Sequence, residues 1–162
     1  MTQESYAAKI QSLAEQLAEL DDQELDLVQH TIRAIRKSRT KDFHFYGNFL
    51  DIELPDRDDL EQVAKMRLGP HVENYFGVAQ GGAVYTLADV SMGYLILSRL
   101  EPERRVATLE LKMNYIRPGT GDALRCKSEI LHWGRNTIVA ECKIVNDQDQ
   151  LVATALGTFF HQ

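Results

Sequence analysis

The stretch Asn74-Tyr75-Phe76-Gly77-Val78-Ala79-Gln80-Gly81-Gly82-Ala83-Val84-Tyr85-Thr86-Leu87-Ala88-Asp89-Val90-Ser91-Met92-Gly93 decides how this chain is read. A polar loop runs into a glycine pair, and from Ala83 to Leu100 the chain is apolar on nearly every side. That run is long enough for about five helical turns. A helix apolar all round belongs inside a protein rather than on its surface. One residue breaks the pattern. Asp89 is a carboxylate among Ala, Val, Leu, Met and Tyr, and a buried charge needs a partner or a function.

On the C-terminal side, four strands are expected over roughly 105–116, 122–132, 136–146 and 150–160. They are separated by turn residues at Arg117–Gly121, Trp133–Arg135 and Asn146–Asp149. Links this short predict antiparallel neighbours, hence a four-strand meander. On the N-terminal side, residues 43–53 carry aromatic and β-branched positions that suit a strand. Residues 62–68 alternate, with Ala64, Met66 and Leu68 on one side and Val63, Lys65 and Arg67 on the other. The order strand, strand, buried helix, meander predicts an α+β domain over 41–162, an antiparallel sheet wrapped around one long helix.

Residues 1–40 read as a helical extension. Tyr6, Ile10, Leu13, Leu17 and Leu20 recur at steps of four and three, and Asp21 with Glu24 makes a capping box that starts a second helix. Leu25, Val28, Ile32 and Ile35 stripe that helix, and Arg33, Arg36, Lys37 and Arg39 crowd its end, where cations suit the dipole. A membrane or DNA contact is one reading. A capped amphipathic helix packed on its own protein or on a sister subunit is the preferred one.

Composition narrows the function. The 162 residues suit one domain with a real core, and a net charge of −6 argues against a nucleic-acid binder. The polar start Met1–Lys9 predicts no signal peptide, and no apolar run is long enough to span a bilayer. Cys126 and Cys142 fit neither a disulfide framework nor a zinc site. They are expected as reduced thiols facing each other in a hairpin centred on Gly134. A cytoplasmic protein without membrane or nucleic-acid partners is expected. The five histidines lack metal spacing, no Gly-x-Ser-x-Gly elbow occurs, and Gly119-Thr120-Gly121 lacks the remainder of a phosphate loop.

The chemistry gathers in the middle segment. N–H groups at Gly81 and Gly82 open a helix, where unpaired donors and the dipole favour negative charge, and glycine admits a ligand oxygen close to the backbone. That is a candidate oxyanion site. Tight helix packing is the other reading of the glycines, and a structural carboxylate is the other reading of Asp89. Asp89 lies eight residues beyond Gly81. At the rise of an α-helix the two sit roughly 12 Å apart, too far to share one carbonyl. If they cooperate, one must come from a second copy, so at least a homodimer is expected.

This segment resembles the hotdog-fold acyl-CoA thioesterases, in particular the branch of phenylacetyl-CoA and 4-hydroxybenzoyl-CoA thioesterases. That pattern has an Asn or Gln, then seven residues on the first Gly of a His-Gly-Gly, then eight further on an Asp or Glu. Asn74, Gly81 and Asp89 match both spacings, and Leu87-Ala88-Asp89 and Tyr115-Ile116-Arg117-Pro118 extend the likeness over roughly 60–162. The resemblance implies a hotdog fold and hydrolysis of an acyl-CoA thioester to acid and coenzyme A, with no cofactor beyond the coenzyme A of the substrate. It implies that the Gly81 N–H polarises the thioester carbonyl. Asp89 of a partner chain serves as general base or nucleophile, and Asn74 orients water or carbonyl. Thr108 stands where related enzymes carry a Ser or Thr that helps hold the water. Coenzyme A contacts are implied at Gln80, Gly82, Arg117, Pro118, Gly134, Arg135 and Asn136, along a subunit junction in a dimer or tetramer. The chain departs from the pattern at Gln80, where His is usual. Gln can position a ligand but cannot titrate.

Three rivals stand beside this reading. A hotdog hydratase would carry a His five residues after its Asp, and position 94 is Tyr. A non-catalytic acyl-CoA sensor would have no use for Asp89 and Asn74. A purely structural partner protein would rest on residues 1–40 as its interaction element.

Overall fold

The computed structural model describes residues 3–40, 44–59 and 62–162. The expected boundary at 40/41 abuts residues outside that set. Helix α1 covers Gln3–Leu17 and α2 covers Asp22–Lys37. Asp21 caps α2 as anticipated: its side chain accepts from the Glu24 N–H at 2.9 Å, and the Glu24 carboxylate accepts from the Asp21 N–H at 3.0 Å. The α1 stripe of Tyr6, Ile10, Leu13 and Leu17 is exposed within the single chain. Helix α2, by contrast, is tied to the domain. Ala34 is buried, His30 Nε2 lies 2.7 Å from the Phe49 carbonyl oxygen, and the His30 ring stacks on His71 with centroids 4.1 Å apart.

The strand expected over 43–53 is instead a short helix, α3 (Phe45–Phe49), followed by the two-residue strand β1 (Ile52–Glu53). Local chemistry explains the difference. His44 Nδ1 accepts from the Gly47 N–H at 3.1 Å and caps the helix, while buried Asn48 donates to Ser38 Oγ at 2.9 Å. The His44 bond engages the backbone and competes with strand pairing, while the Asn48–Ser38 bond ties the segment to the end of α2.

The remaining elements are β2 (Val63–Arg67), α4 (Gly81–Ser98), β3 (Val106–Tyr115), β4 (Ala123–Trp133), β5 (Thr137–Val145) and β6 (Leu151–His161). They form one antiparallel six-stranded sheet in the order β1-β2-β4-β5-β6-β3. The expected meander therefore holds only for β4-β5-β6. Strand β3 pairs with β6 at the far edge, and β2 takes the place beside β4. Three strand spacings, roughly 15 Å, separate β3 from β4, and the seven-residue link 116–122 spans that distance. The link crosses the start of β6, where the Ile116 and Arg117 N–H groups both donate to the Val152 carbonyl.

The thiols are buried and unpaired but not directly opposed. Cys142 faces Ser128, and Cys126 faces Ile144. The hairpin closes between Gly134 and Thr137 rather than pivoting on Gly134, and a bulge between Ile130 and His132 shifts the register further. The neighbouring Cys126 sulfur, and then burial, push the Cys142 thiol up.

Helix α4 lies across the sheet. Ala83, Val84, Leu87, Ala88, Ser91, Met92, Leu95 and Ile96 are buried against Met66, Leu124, Ile138, Ile144 and Phe159. The expectation of burial thus holds for one face only. Gly82, Tyr85 and Leu97 are exposed and Thr86, Asp89 and Gly93 half-buried, so the opposite face stays open in the single chain.

Candidate active site

Two loops brace the start of α4. The Gln80 N–H donates to the Val72 carbonyl at 2.7 Å, and the Ala79 N–H donates to the Gly119 carbonyl of the β3–β4 crossover at 2.9 Å. The Gln80 carbonyl accepts from the Ala83 and Val84 N–H groups at 2.9 and 3.1 Å. Gln80 occupies the cap position but makes no side-chain cap bond. Among the described residues, the Gly81 and Gly82 N–H groups have no acceptor within the chain. Two such donors at the positive end of an 18-residue helix suit a developing negative charge.

Asn74 shapes the preceding loop. Its Oδ1 accepts from the Phe76 N–H at 2.8 Å and the Val78 N–H at 3.4 Å, which engages the amide oxygen within the loop. Gly77 takes the positive φ of 70° that this tight loop requires. Tyr75 and Phe76 at the loop tip are 98 % and 83 % exposed, so they line no acyl pocket within a single chain. A cleft of about 390 Å³ brings together Asn74, Gly81, Tyr115, Arg117 and Pro118. Arg117 Nη1 donates to the Leu151 carbonyl at 2.9 Å, which fixes the guanidinium at the cleft wall.

Asp89 is not in this cleft. It sits two turns further along α4, on the open face, where Thr108 Oγ1 donates to its Oδ1 at 2.7 Å. Thr108 lies on the edge strand β3, at a bulge between Thr108 and Glu110 that leaves Leu109 exposed. The remaining oxygen of Asp89 is open to a water or to an acyl carbon. The carboxylate is thus hydrogen-bonded and accessible rather than buried and unpaired.

Gly134, Arg135 and Asn136 form the β4–β5 turn, at the other end of β4 from the crossover that carries Arg117 and Pro118. An 11-residue strand separates the two groups by roughly 35 Å, so one chain does not join them. The turn is tight for structural reasons. A Cβ on Gly134 would lie 2.8 Å from the Thr137 carbonyl oxygen, and His161 Nε2 lies 3.2 Å from the Gly134 oxygen. A larger hollow of about 670 Å³ opens near Gln62, Arg99 and Cys142, but it contains none of these residues. Its Arg125 is already paired with Asp149 at 2.7 Å. The smaller cleft is the better candidate because Gly81, with its free N–H, lines it.

Sequence reasoning missed two residues. Tyr115 Oη donates to the Gly81 carbonyl at 2.7 Å, and Tyr85 Oη donates to the Leu111 carbonyl at 2.9 Å. With Asp89–Thr108 they make three cross-links from α4 to β3, at helix positions 81, 85 and 89. That one-per-turn spacing was the available signal, but it is invisible until β3 is known to run beside α4.

The family model for the thioesterase superfamily matches residues 76–153. A putative esterase of Pseudomonas aeruginosa, PA0474, is 30 % identical over 98 residues, covering 60 % of this chain and 72 % of the relative. The acyl-coenzyme A thioesterase PaaI of Escherichia coli is 29 % identical over 110 residues, 67 % of this chain and 76 % of PaaI. Among solved structures, the BH2602 protein of Bacillus halodurans, crystallised with CoA, superposes with a TM-score of 0.85 at 28 % identity. It covers 90 % of this chain and 97 % of its own. Sheet order, central helix and these likenesses agree: the chain belongs to the thioesterase superfamily and has its hotdog fold.

Proposed function

We propose that the chain hydrolyses an acyl-CoA thioester to the free acid and coenzyme A, at a site completed by a second copy of itself. One observation carries the reading. Two free N–H donors at the start of α4 and a hydrogen-bonded, accessible carboxylate two turns along stand on the same helix, whose outer face is apolar and uncovered. A partner laid on that face would bring its Asp89 toward the Gly81 of the first chain. The unpaired edge of β3, with Leu109, Tyr115 and Ile116 exposed, supports the same assembly. Dimer and tetramer both satisfy it.

In this reaction the thioester oxygen accepts from the Gly81 N–H as it gains charge. Asp89 either takes a proton from an attacking water, or attacks the carbonyl carbon itself to give an acyl anhydride that water then hydrolyses to the free acid. Thr108 holds one carboxylate oxygen so that the other faces the substrate, and Asn74 donates from its amide to water or carbonyl. The carbon–sulfur bond then breaks, and coenzyme A leaves as a thiolate, a good leaving group. The chemistry asks for no metal or redox cofactor, and coenzyme A enters only as part of the substrate. Arg117 and Pro118 of one chain and Gly134, Arg135 and Asn136 of the other would meet its phosphates and adenosine, and Gln80 and Gly82 its thioester end. A cytoplasmic setting suits an acyl-CoA substrate and two reduced thiols.

Thiol release from a panel of acyl-CoAs tests the proposal. Wild type is expected to turn over at least one, and Asp89→Asn to lose about a hundredfold or more in kcat. An Asn variant as fast as wild type would defeat the mechanism. A wild type that binds acyl-CoAs and releases thiol from none would turn the reading toward a sensor.

A further inference from the structure

The Gly81–Gly82 peptide is the first of helix α4 and part of the candidate oxyanion site. Glycine on both sides leaves its plane free of side-chain steric control, and in the first turn of a helix its N–H has no intrahelical partner. In a trans peptide the C=O and N–H point in opposite directions. Whatever holds the Gly81 carbonyl therefore aims the Gly82 N–H. The Tyr85 N–H holds it within the helix ladder, and Tyr115 is placed to hold it from outside. Its Oη donates to the Gly81 oxygen at 2.7 Å, and its ring lies against Gly81, where a Cβ would come within 3.5 Å of the ring. The neighbouring Gln80–Gly81 peptide is held separately, through the Gln80 carbonyl, by the Ala83 and Val84 N–H groups.

We infer that Tyr115 is a positioning residue of this enzyme. Its hydroxyl adds to the helix ladder in steadying the plane of the Gly81–Gly82 peptide, so that the Gly82 N–H joins the Gly81 N–H as a second donor to the thioester oxygen. The inference rests on the hydrolase reading and deepens it. Donation to the carbonyl also polarises the peptide and strengthens its N–H as a donor. Partial burial, and then the neighbouring Tyr85, hold the Tyr115 phenol above its ordinary range, so it remains a donor wherever the enzyme works. A Cβ at position 82 would meet nothing within 4 Å, so no side chain crowds that side of the peptide.

Tyr85 supplies a matched control. It makes the same kind of bond one turn along, to the Leu111 carbonyl, which belongs to no site peptide. Purified wild type, Tyr115→Phe and Tyr85→Phe are compared for kcat, KM and melting temperature with one acyl-CoA that wild type hydrolyses. Tyr115→Phe keeps the ring and loses only the hydroxyl. Its kcat is expected to fall about three- to tenfold with KM within about twofold, a fraction of what deleting an oxyanion donor costs. Tyr85→Phe is expected to keep kcat while losing as much melting temperature. Equal kcat in Tyr115→Phe and wild type overturns the inference and leaves the hydrolase reading standing. So does a parallel kcat loss in both variants, which marks both bonds as struts. A KM rise at constant kcat also overturns it, by making Tyr115 a substrate contact. Absence of thiol release from wild type removes the hydrolase reading and this inference together.

Discussion

At Gly81 the backbone, not a side chain, is the proposed reagent, which makes its removal unusually clean. Gly81 is the first residue of α4, and Gln80 before it has extended angles of φ −61° and ψ 131°. Proline suits the first helical position, where the lost N–H has no intrahelical partner, and tolerates an extended residue before it. Gly81→Pro is therefore expected to fold with a melting temperature within a few degrees of wild type, yet to lose about a hundredfold in thiol release. Circular dichroism and turnover on the same sample check this. Full activity in a folded proline variant would remove Gly81 from the mechanism. Gly81 and Asp89 stood out in the sequence by residue type and spacing, and Asn74 only through resemblance. Thr108 was placed through resemblance, and the structure brings its hydroxyl to Asp89. Tyr115 was not legible, because nothing in its own neighbourhood says that its hydroxyl ends on a backbone carbonyl 34 residues away.

Helix α4 was readable from its long apolar run, β2 from its alternation, and β4–β6 from the turn residues between them. Strand β3 was readable as a strand but not as a neighbour of β6, since pairing depends on where the crossover goes. The strand expected around 43–53 failed where the His44 side chain capped a short helix and Asn48 tied that helix to Ser38. The same region joins α2 to the domain through His71, and this contact titrates. Burial first, and then His30, hold the His71 imidazole below its ordinary value of 6.5, while Asp51 and a bond to the Leu50 backbone act the other way. Its Nε2 is buried without a hydrogen-bond partner. A histidine with a lowered native pKa takes up its proton more readily when unfolded. Stability is full above 6.5 and declines as pH falls from there through the lowered native value. The melting temperature is expected to drop between pH 7.5 and 5.0, and to drop less in His71→Gln. Identical slopes in the two proteins would mean that His71 carries no such penalty.

Over the whole molecule, a helix apolar on all sides but covered on one implies a second chain, and the separation of Gly81 from Asp89 says what that chain contributes. Complementation tests the shared site directly. Asp89→Asn and Gly81→Pro are each expected to be nearly inert alone. In a heterodimer, the intact Gly81 of the first variant meets the intact Asp89 of the second and rebuilds one site, while the other site carries both lesions. Random reassociation makes half of the dimers mixed, each with one working site in two, so an equal mixture should recover about a quarter of wild-type activity. Partners must exchange for this to happen, so the mixture is unfolded and refolded together, with separately refolded variants combined afterwards as the control. A site formed within one chain gives no recovery in either arm, because no single chain then holds both groups. Recovery confined to the co-refolded sample would assign Gly81 and Asp89 of each working site to different subunits, and would leave the open face of α4 as the surface across which they meet.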